Sequence, residues 1–330
     1  MLEKAVVITT IFEPSRAVRL FASLDNYSLV VVGDRKTPKH WEVPGATFLP
    51  YGSKKTSRFA IEALLPDDHY SRKNLGYLVA IREGASVIVD SDDDNVPIAD
   101  LCFPPSEIEV DVTPENLGFV NVYHFFSDQK IWPRGLPLSQ ILRDDSLVPL
   151  SSSKRRIGVW QSLADGSPDV DALYRLTDNS ECTFARRAPV VAGRGTWIPF
   201  NSQCTMFVRE LFPLLYLPAT VSFRFTDILR GLVAQPIMWS TDYLLGFTSP
   251  LVRQDRNPHD ILADFQSEIP MYLGVSFIPK LLTTIVSRES TVLENLWTSY
   301  VALCSAGIVS CDELEVLGAW ISDCRRLGFV

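Results

Sequence analysis

The sequence predicts an α/β protein built on a mostly parallel sheet flanked by helices, with a helical extension at its C-terminus. Short apolar runs rich in β-branched residues alternate with helix-period stretches through the first hundred residues. The last of these runs stops abruptly at Asp90-Ser91-Asp92-Asp93-Asp94, the charge pattern of a strand leaving a buried sheet. From Thr291 onward the apolar spacing is helical once more.

Ala5-Val6-Val7-Ile8-Thr9-Thr10 reads as the first strand, and Pro14 to Leu24 then sets Ala17, Val18, Leu20, Phe21 and Leu24 on one helical face. Leu29-Val30-Val31-Val32 is the second strand, stopped at Gly33-Asp34, and Thr47-Phe48-Leu49 a shorter third. A helix over Asn74 to Glu83 leads into Ala85-Ser86-Val87-Ile88-Val89, the strand that delivers the acidic run. Repeated β-α-β order implies parallel pairing with right-handed crossovers, the topology of a Rossmann-type nucleotide-binding half. After Pro104-Pro105 the pattern loosens and aromatic residues accumulate; Ile131-Trp132-Pro133-Arg134-Gly135-Leu136-Pro137 is too rich in proline for a helix or central strand and reads as a shaped loop. Thr291 to Trp297 opens a helix, and Ser310-Cys311-Asp312-Glu313 has the spacing of a capping box before a second one. Two packed helices there would brace the domain or form a contact in a homodimer.

With 330 residues, 46% hydrophobic and 21% charged, the chain can bury the core of one large domain or two smaller ones. The net charge of -8 argues against a nucleic-acid-binding surface, and Lys154-Arg155-Arg156, the tight basic cluster, reads as an exposed loop. No stretch is long enough to span a membrane, and the first residues run straight into a strand without a leader pattern, which sets the expectation of a cytoplasmic protein. The six cysteines show neither CxxC pairs nor zinc spacing and are expected reduced. Four histidines are too few for a histidine-rich metal centre.

The chemistry is expected at the carboxyl ends of the strands, where open α/β sheets bind ligands. In an extended chain Asp90 and Asp92 project to one side, so their carboxylates, with Asp93, are candidate ligands of Mn²⁺ or Mg²⁺. A cation so held neutralises a diphosphate leaving group, the logic of the DxD motif in GT-A glycosyltransferases. An EF-hand is excluded because Asn95 and Leu101 stand where Gly and Glu are needed. A haloacid-dehalogenase-type phosphatase and an empty acidic turn are the competing readings of the same run. Thr9, Thr10, Gly33 and Asp34 close the neighbouring strands and are candidate contacts for a nucleotide sugar, with Asp90. Arg72, Lys73 and Asn74 at a helix start are candidates for its diphosphate. Trp132 and Arg134 could stack on and hydrogen-bond a sugar, while Asp169 and Asp171 are acceptor-site carboxylates or a helix cap. Asp255 or His259 could complete the metal site.

Read in order, Val7 to Pro14, Val31 to Pro38 with Lys36 inside it, Arg72 to Tyr77, Asp90 to Asp93, Trp132 to Leu138, Pro168 to Asp171, Asn201-Ser202 and Asp227 to Gly231 resemble the STELLO-type glycosyltransferase-like family. The resemblance implies a GT-A-like fold, with more distant similarity to UDP-arabinopyranose mutases. It brings Asn201 into the donor site and raises Asp227 to first candidate for the base of an inverting transfer, with Asp169 and Asp171 in reserve. The best-known members are Golgi membrane proteins of plants; this chain is expected to lack their anchor and their long C-terminal region. It implies a catalytic domain at 1–275, with a nucleotide-sugar-binding half at 1–103 and an acceptor half at 104–275, followed by a helical segment at 276–330. The expected activity is metal-dependent transfer of a sugar from a nucleotide diphosphate, most simply a UDP-sugar, to an acceptor left open. A nucleotide-sugar mutase and a non-catalytic scaffold are the alternatives.

Overall fold

The computed structural model describes residues 3–257 and 260–330. Strand β1 (Lys4–Thr10), helix α1 (Arg16–Ala22), β2 (Ser28–Gly33), β3 (Ala46–Leu49), α2 (Lys73–Arg82) and β4 (Val87–Asp90) build the first half, as the periodicity predicts. Ser15 caps α1 by accepting from the Val18 amide, 3.1 Å away. β3, β2, β1 and β4 pair in parallel in that order, with Val7 opposite Asp90. Their apolar side chains are almost wholly buried because helices cover them.

The chain then passes through β5 (Asn95–Pro97), β6 (Glu107–Val112), β7 (Gly118–Phe119), β8 (Ser151–Gly166), the short α3 (Ala172–Thr177), β9 (Val190–Val191), β10 (Thr196–Trp197) and β11 (Thr205–Val208). β11 lies antiparallel between β4 and β8, so beyond the parallel half the ten-stranded sheet is mixed. Helix α4 (Phe223–Ser240) follows, then β12 (Leu244–Gln254), which pairs with β8, β9 and β5. Lys154-Arg155-Arg156 lies in the solvent-exposed first part of β8, paired with β6, and not in a loop. Its run of charges hides a strand because only the second part of β8 is buried.

Helices α5 (Ile261–Gly274), α6 (Ile278–Ile285), α7 (Val292–Ser305) and α8 (Glu313–Arg326) close the chain. The helical region therefore starts before residue 276. The capping box forms at Thr291 and Glu294 instead of at Ser310 and Glu313. Glu313 is withdrawn from the solvent and accepts from the backbone amides of Ala219 and Thr220 at 3.0 and 2.7 Å. Asp323 likewise takes the Ala60 and Ile61 amides, each at 3.0 Å, so α8 braces both halves of the domain. Cys304 and Cys311 are joined in a disulfide with their Cα atoms 5.4 Å apart, which corrects the expectation of six reduced thiols. Among the described residues no helix is long and apolar enough to cross a membrane.

Gly76 fixes how closely α2 lies on the sheet, since a Cβ there would sit 2.6 Å from Val7 Cγ1 and 2.7 Å from Val32 Cγ2. Gly76→Ala is expected to destabilise the fold by roughly 1–3 kcal/mol through overpacking, in spite of alanine's better helix propensity. A urea midpoint equal to that of the unmodified protein would contradict this account of the contact.

Candidate active site

A cleft of about 330 Å³ opens at the carboxyl ends of β1, β2 and β4. Thr9 and Thr10 end β1 on its floor; Thr9 Oγ1 donates to the Val32 carbonyl at 3.1 Å and Thr10 Oγ1 to Asp93 Oδ2 at 2.5 Å. Asp34 follows β2 and accepts from the amides of Arg35 at 2.8 Å and His69 at 3.1 Å.

Several candidates of this half stand behind the cleft wall. A Cβ on Gly33 would meet the Phe48 ring at 2.8 Å, so its role is packing. Lys36 is exposed and pairs with Asp68 at 3.6 Å. Arg72 lies 3.4 Å from Asp34 and over the Tyr51 ring, orienting Asp34 from behind. Asn74 is buried and clasps the Leu217 backbone, donating to its carbonyl at 2.8 Å and accepting from its amide at 2.9 Å.

The expectation that Asp90 and Asp92 share one metal ion is corrected by the buried Lys73 ammonium, on which the two carboxylates converge instead. Asp90 is the last residue of β4, fully buried, with Lys73 Nζ at 2.6 Å and an Arg230 guanidinium nitrogen at 2.5 Å. Both of its oxygens are engaged within the protein. Beyond it the backbone turns, the Asn95 amide bonding the Asp92 carbonyl at 3.2 Å, and this turn carries Asp92, Asp93 and Asp94 into the cleft. Lys73 is fully buried too; it donates to the Ser91 carbonyl at 2.5 Å and to Asp92 Oδ1 at 3.0 Å, so no donor remains for a diphosphate. Burial works against its charge, but the carboxylates of Asp90 and Asp92 outweigh it and raise its pKa.

The Asp92 side chain keeps 31% of its surface exposed, and the Tyr70 hydroxyl orients it from 2.6 Å. Burial raises the pKa values of Asp92 and Asp93, and burial with the charges of those two pushes Asp94 up to about 7. Among the described residues of the other half, neutral amides reach the turn: Gln254 donates to Asp94 at 2.8 Å and Asn257 to Asp93 at 3.4 Å. Asp255 turns to Arg253, 3.2 Å away, and is exposed; His259 lies outside the described residues.

Among the described residues no three His, Cys, Asp or Glu groups form a cage for a metal. Mg²⁺ and Mn²⁺ at phosphate sites do not need one, since one or two carboxylates and the ligand's phosphates suffice. Crowded hard-oxygen donors short of positive charge fit that requirement.

Arg134 organises the second wall. Its guanidinium forks onto both oxygens of Asp227 at 2.9 Å, bonds Asp169 Oδ1 at 2.9 Å and donates to the Arg224 carbonyl. Asn201 donates to Asp169 Oδ2 at 2.6 Å, and Asp169, Asp227, Arg134 and Asn201 all line the cleft. Burial acts to raise the pKa of Asp227, but Arg134 prevails and holds it below the usual carboxylate range. A carboxylate so tied is ionised and weakly basic, which does not suit the base role expected of it.

Asp171 and Trp132 do not reach the cleft. Asp171 caps α3 by accepting from the Tyr174 amide at 2.8 Å, and its second oxygen takes the Trp132 indole N–H at 2.8 Å, while the Trp132 ring packs edge-on against Tyr174. Burial pushes Asp171 up to about 6. The folded state then holds a proton that the unfolded chain releases near pH 4, so this group's contribution is full below pH 4 and is lost as pH rises to about 6. Asp171→Asn, which retains a capping oxygen, is expected to flatten that loss in urea midpoints measured from pH 4 to 7. An unchanged slope would show that another group is responsible. Asp227 has the opposite sign: its contribution is present above its unfolded pKa and is lost as acid protonates it.

Arg175, Arg224 and Arg256 also line the cleft, together with Asp94 of the acidic run, Tyr70 and Gln203; none of the three arginines was a candidate site residue from the sequence. Arg224 pairs with Glu268 at 2.8 Å and Arg256 with Asp264 at 2.7 Å.

No family model matches the chain. It is 27% identical, over an alignment of 350 positions, to the probable glycosyltransferases STELLO1 and STELLO2 of Arabidopsis thaliana; the alignment takes in 99% of this chain and 45% of each of theirs. The chain therefore spans about half the length of the curated relatives it matches. Among solved structures it is similar to glucosyl-3-phosphoglycerate synthase from Mycobacterium tuberculosis in complex with phosphoglyceric acid, with a TM-score of 0.40, 12% identity, and coverage of 83% of this chain and 80% of that one. The same synthase in complex with Mg²⁺ and UDP gives a TM-score of 0.37 at 10% identity, covering 83% and 79%.

Proposed function

We propose that this chain, similar over nearly its whole length to STELLO-type glycosyltransferases, is a metal-dependent, GT-A-like transferase that takes a sugar from a nucleotide diphosphate, most simply a UDP-sugar. The observation that carries this is the turn after β4, which sets Asp92, Asp93 and Asp94 in one cleft with Thr10, Asp34 and Arg134. Thr10 and Asp34 contact the nucleoside. Asp92 and Asp93 would hold Mn²⁺ or Mg²⁺, with Asp94 beside them, and the cation supplies charge neutralisation of the departing diphosphate. Tyr70 and Lys73 fix the orientation of Asp92. Ile11, Phe12 and Phe223 give the cleft apolar edges that limit water around the reacting sugar.

Asp169 and Asp227 hold the Arg134 fork and act as positioning groups. That leaves the departing diphosphate to receive the acceptor's proton as the new glycosidic bond forms and the sugar–phosphate bond breaks. A transfer of this kind keeps the anomeric configuration of the donor.

The test is a thermal-shift screen of nucleoside diphosphates and sugar nucleotides with and without Mn²⁺ or Mg²⁺. A ligand at a hundred times its Kd stabilises by about 2.7 kcal/mol, so a cation-dependent rise with one base is the expected result. A folded protein that shifts with none of them would remove the reading in favour of a scaffold.

A further inference from the structure

Arg175 is a buried cation without a counter-ion among the described residues. It is 7% exposed, lines the cleft, and makes its hydrogen bonds to neutral groups, the Pro168 carbonyl at 2.7 Å and Asn179 Oδ1 at 3.2 Å. Its Nε is buried and has no hydrogen-bond partner, and among the described residues no carboxylate lies within ion-pair distance of it. Arg224 and Arg256 share the same wall; Arg224 has Glu268 at 2.8 Å and, at 3.9 Å, Asp169, which Arg134 also holds, and Arg256 has Asp264 at 2.7 Å. Burial and the Arg256 charge lower Arg175 to about 10, and burial with Arg224 lowers Arg256 as well, as expected of cations that face one another.

Burying an unpaired charge is costly, and a planar fork with an unused N–H is suited to an oxyanion. A neutral sugar would leave that charge uncompensated. Position decides which end of the reaction the anion belongs to. Arg175, Arg224 and Arg256 come from α3, α4 and the segment after β12, whereas Thr10, Asp34 and His69 come from the first half.

We propose that Arg175, Arg224 and Arg256 form an anion subsite that takes a phosphate or carboxylate borne by the acceptor. This deepens the transferase reading and rests on it for the word acceptor; the anion site itself does not depend on that reading.

Calorimetric titration of inorganic phosphate into the full chain, alone and saturated with UDP and Mg²⁺, distinguishes the cases. The expected result is that phosphate binds in the presence of UDP, that Arg175→Gln weakens it at least tenfold, and that UDP affinity changes less than twofold. Arg256→Gln, on a loop where folding is less at risk, is expected to weaken phosphate in the same direction, and Arg175→Lys to restore part of the loss. Competition between phosphate and UDP, with both weakened together in Arg175→Gln, would assign the cluster to the donor's diphosphate and overturn the proposal. A flat phosphate titration with the unmodified protein, or phosphate affinity in both Gln variants equal to that of the unmodified protein, would also overturn it. Arg175-dependent phosphate binding in a chain that ignores every nucleotide would support the anion site and remove the transferase reading instead.

Discussion

Lys73→Met is expected to cost about 3–5 kcal/mol, a large share of the stability of an ordinary domain. The ammonium is fully buried between Asp90 at 2.6 Å and Asp92 at 3.0 Å, and methionine fills its space without its charge. What then remains is Asp90 with only the Arg230 guanidinium, in a place where water cannot reach it. The loss comes from the stranded carboxylate and not from the worth of the pair, which differs little from that of a well-packed apolar substitute. Adding Asp90→Asn to Lys73→Met is therefore expected to recover part of the loss, a coupling that urea midpoints of the two single variants and the double variant would measure. A single variant as stable as the unmodified protein would refute the idea that this charge is needed where it stands.

Asp92→Asn is expected to separate activity from folding. Its side chain is partly solvent-exposed, the amide keeps the shape, and its oxygen can still accept from Tyr70. Lys73 retains Asp90, so the buried network survives. The charge that would hold the cation is lost, and turnover of the sugar nucleotide is expected to fall by about 10²–10³, the usual result of deleting one preorganised electrostatic group. The cation-dependent thermal shift with UDP should vanish with it. Unchanged turnover in a folded Asp92→Asn protein would take Asp92 out of the site.

The residues that converge here were legible to the extent that chemistry clusters at strand ends. Thr10, Asp34 and the acidic run each follow an apolar stretch that only a buried strand explains, and all meet in the cleft. Asp90 and Asp92 do converge on one cation, as alternation implies, but that cation is the Lys73 ammonium, and Asp90 is closed off by it and by Arg230. Lys73 and Arg230 belong to helices and meet Asp90 across 17 and 140 positions of sequence, a pairing no local pattern encodes. Arg175 and Arg256 were hidden for the same reason: one lies in a six-residue helix, the other follows a strand paired with distant partners. Trp132 was legible as a rigid aromatic, but its environment depends on Asp171 and Tyr174, which only the fold brings near.

The amides of Gln254 and Asn257 on the acidic turn have a consequence for how the cleft loads. Asp92 is already held by the Lys73 ammonium, but at Asp93 and Asp94 an arriving cation meets the uncharged donors Thr10, Asn257 and Gln254, each hydrogen bond to a carboxylate worth roughly 1.5–3 kcal/mol. Occupancy of the turn and the freedom of the segment after β12 are thus exchanged for one another. Arg256 lies between those two amides in sequence, so a cation that displaces them acts directly on the segment that carries this arginine.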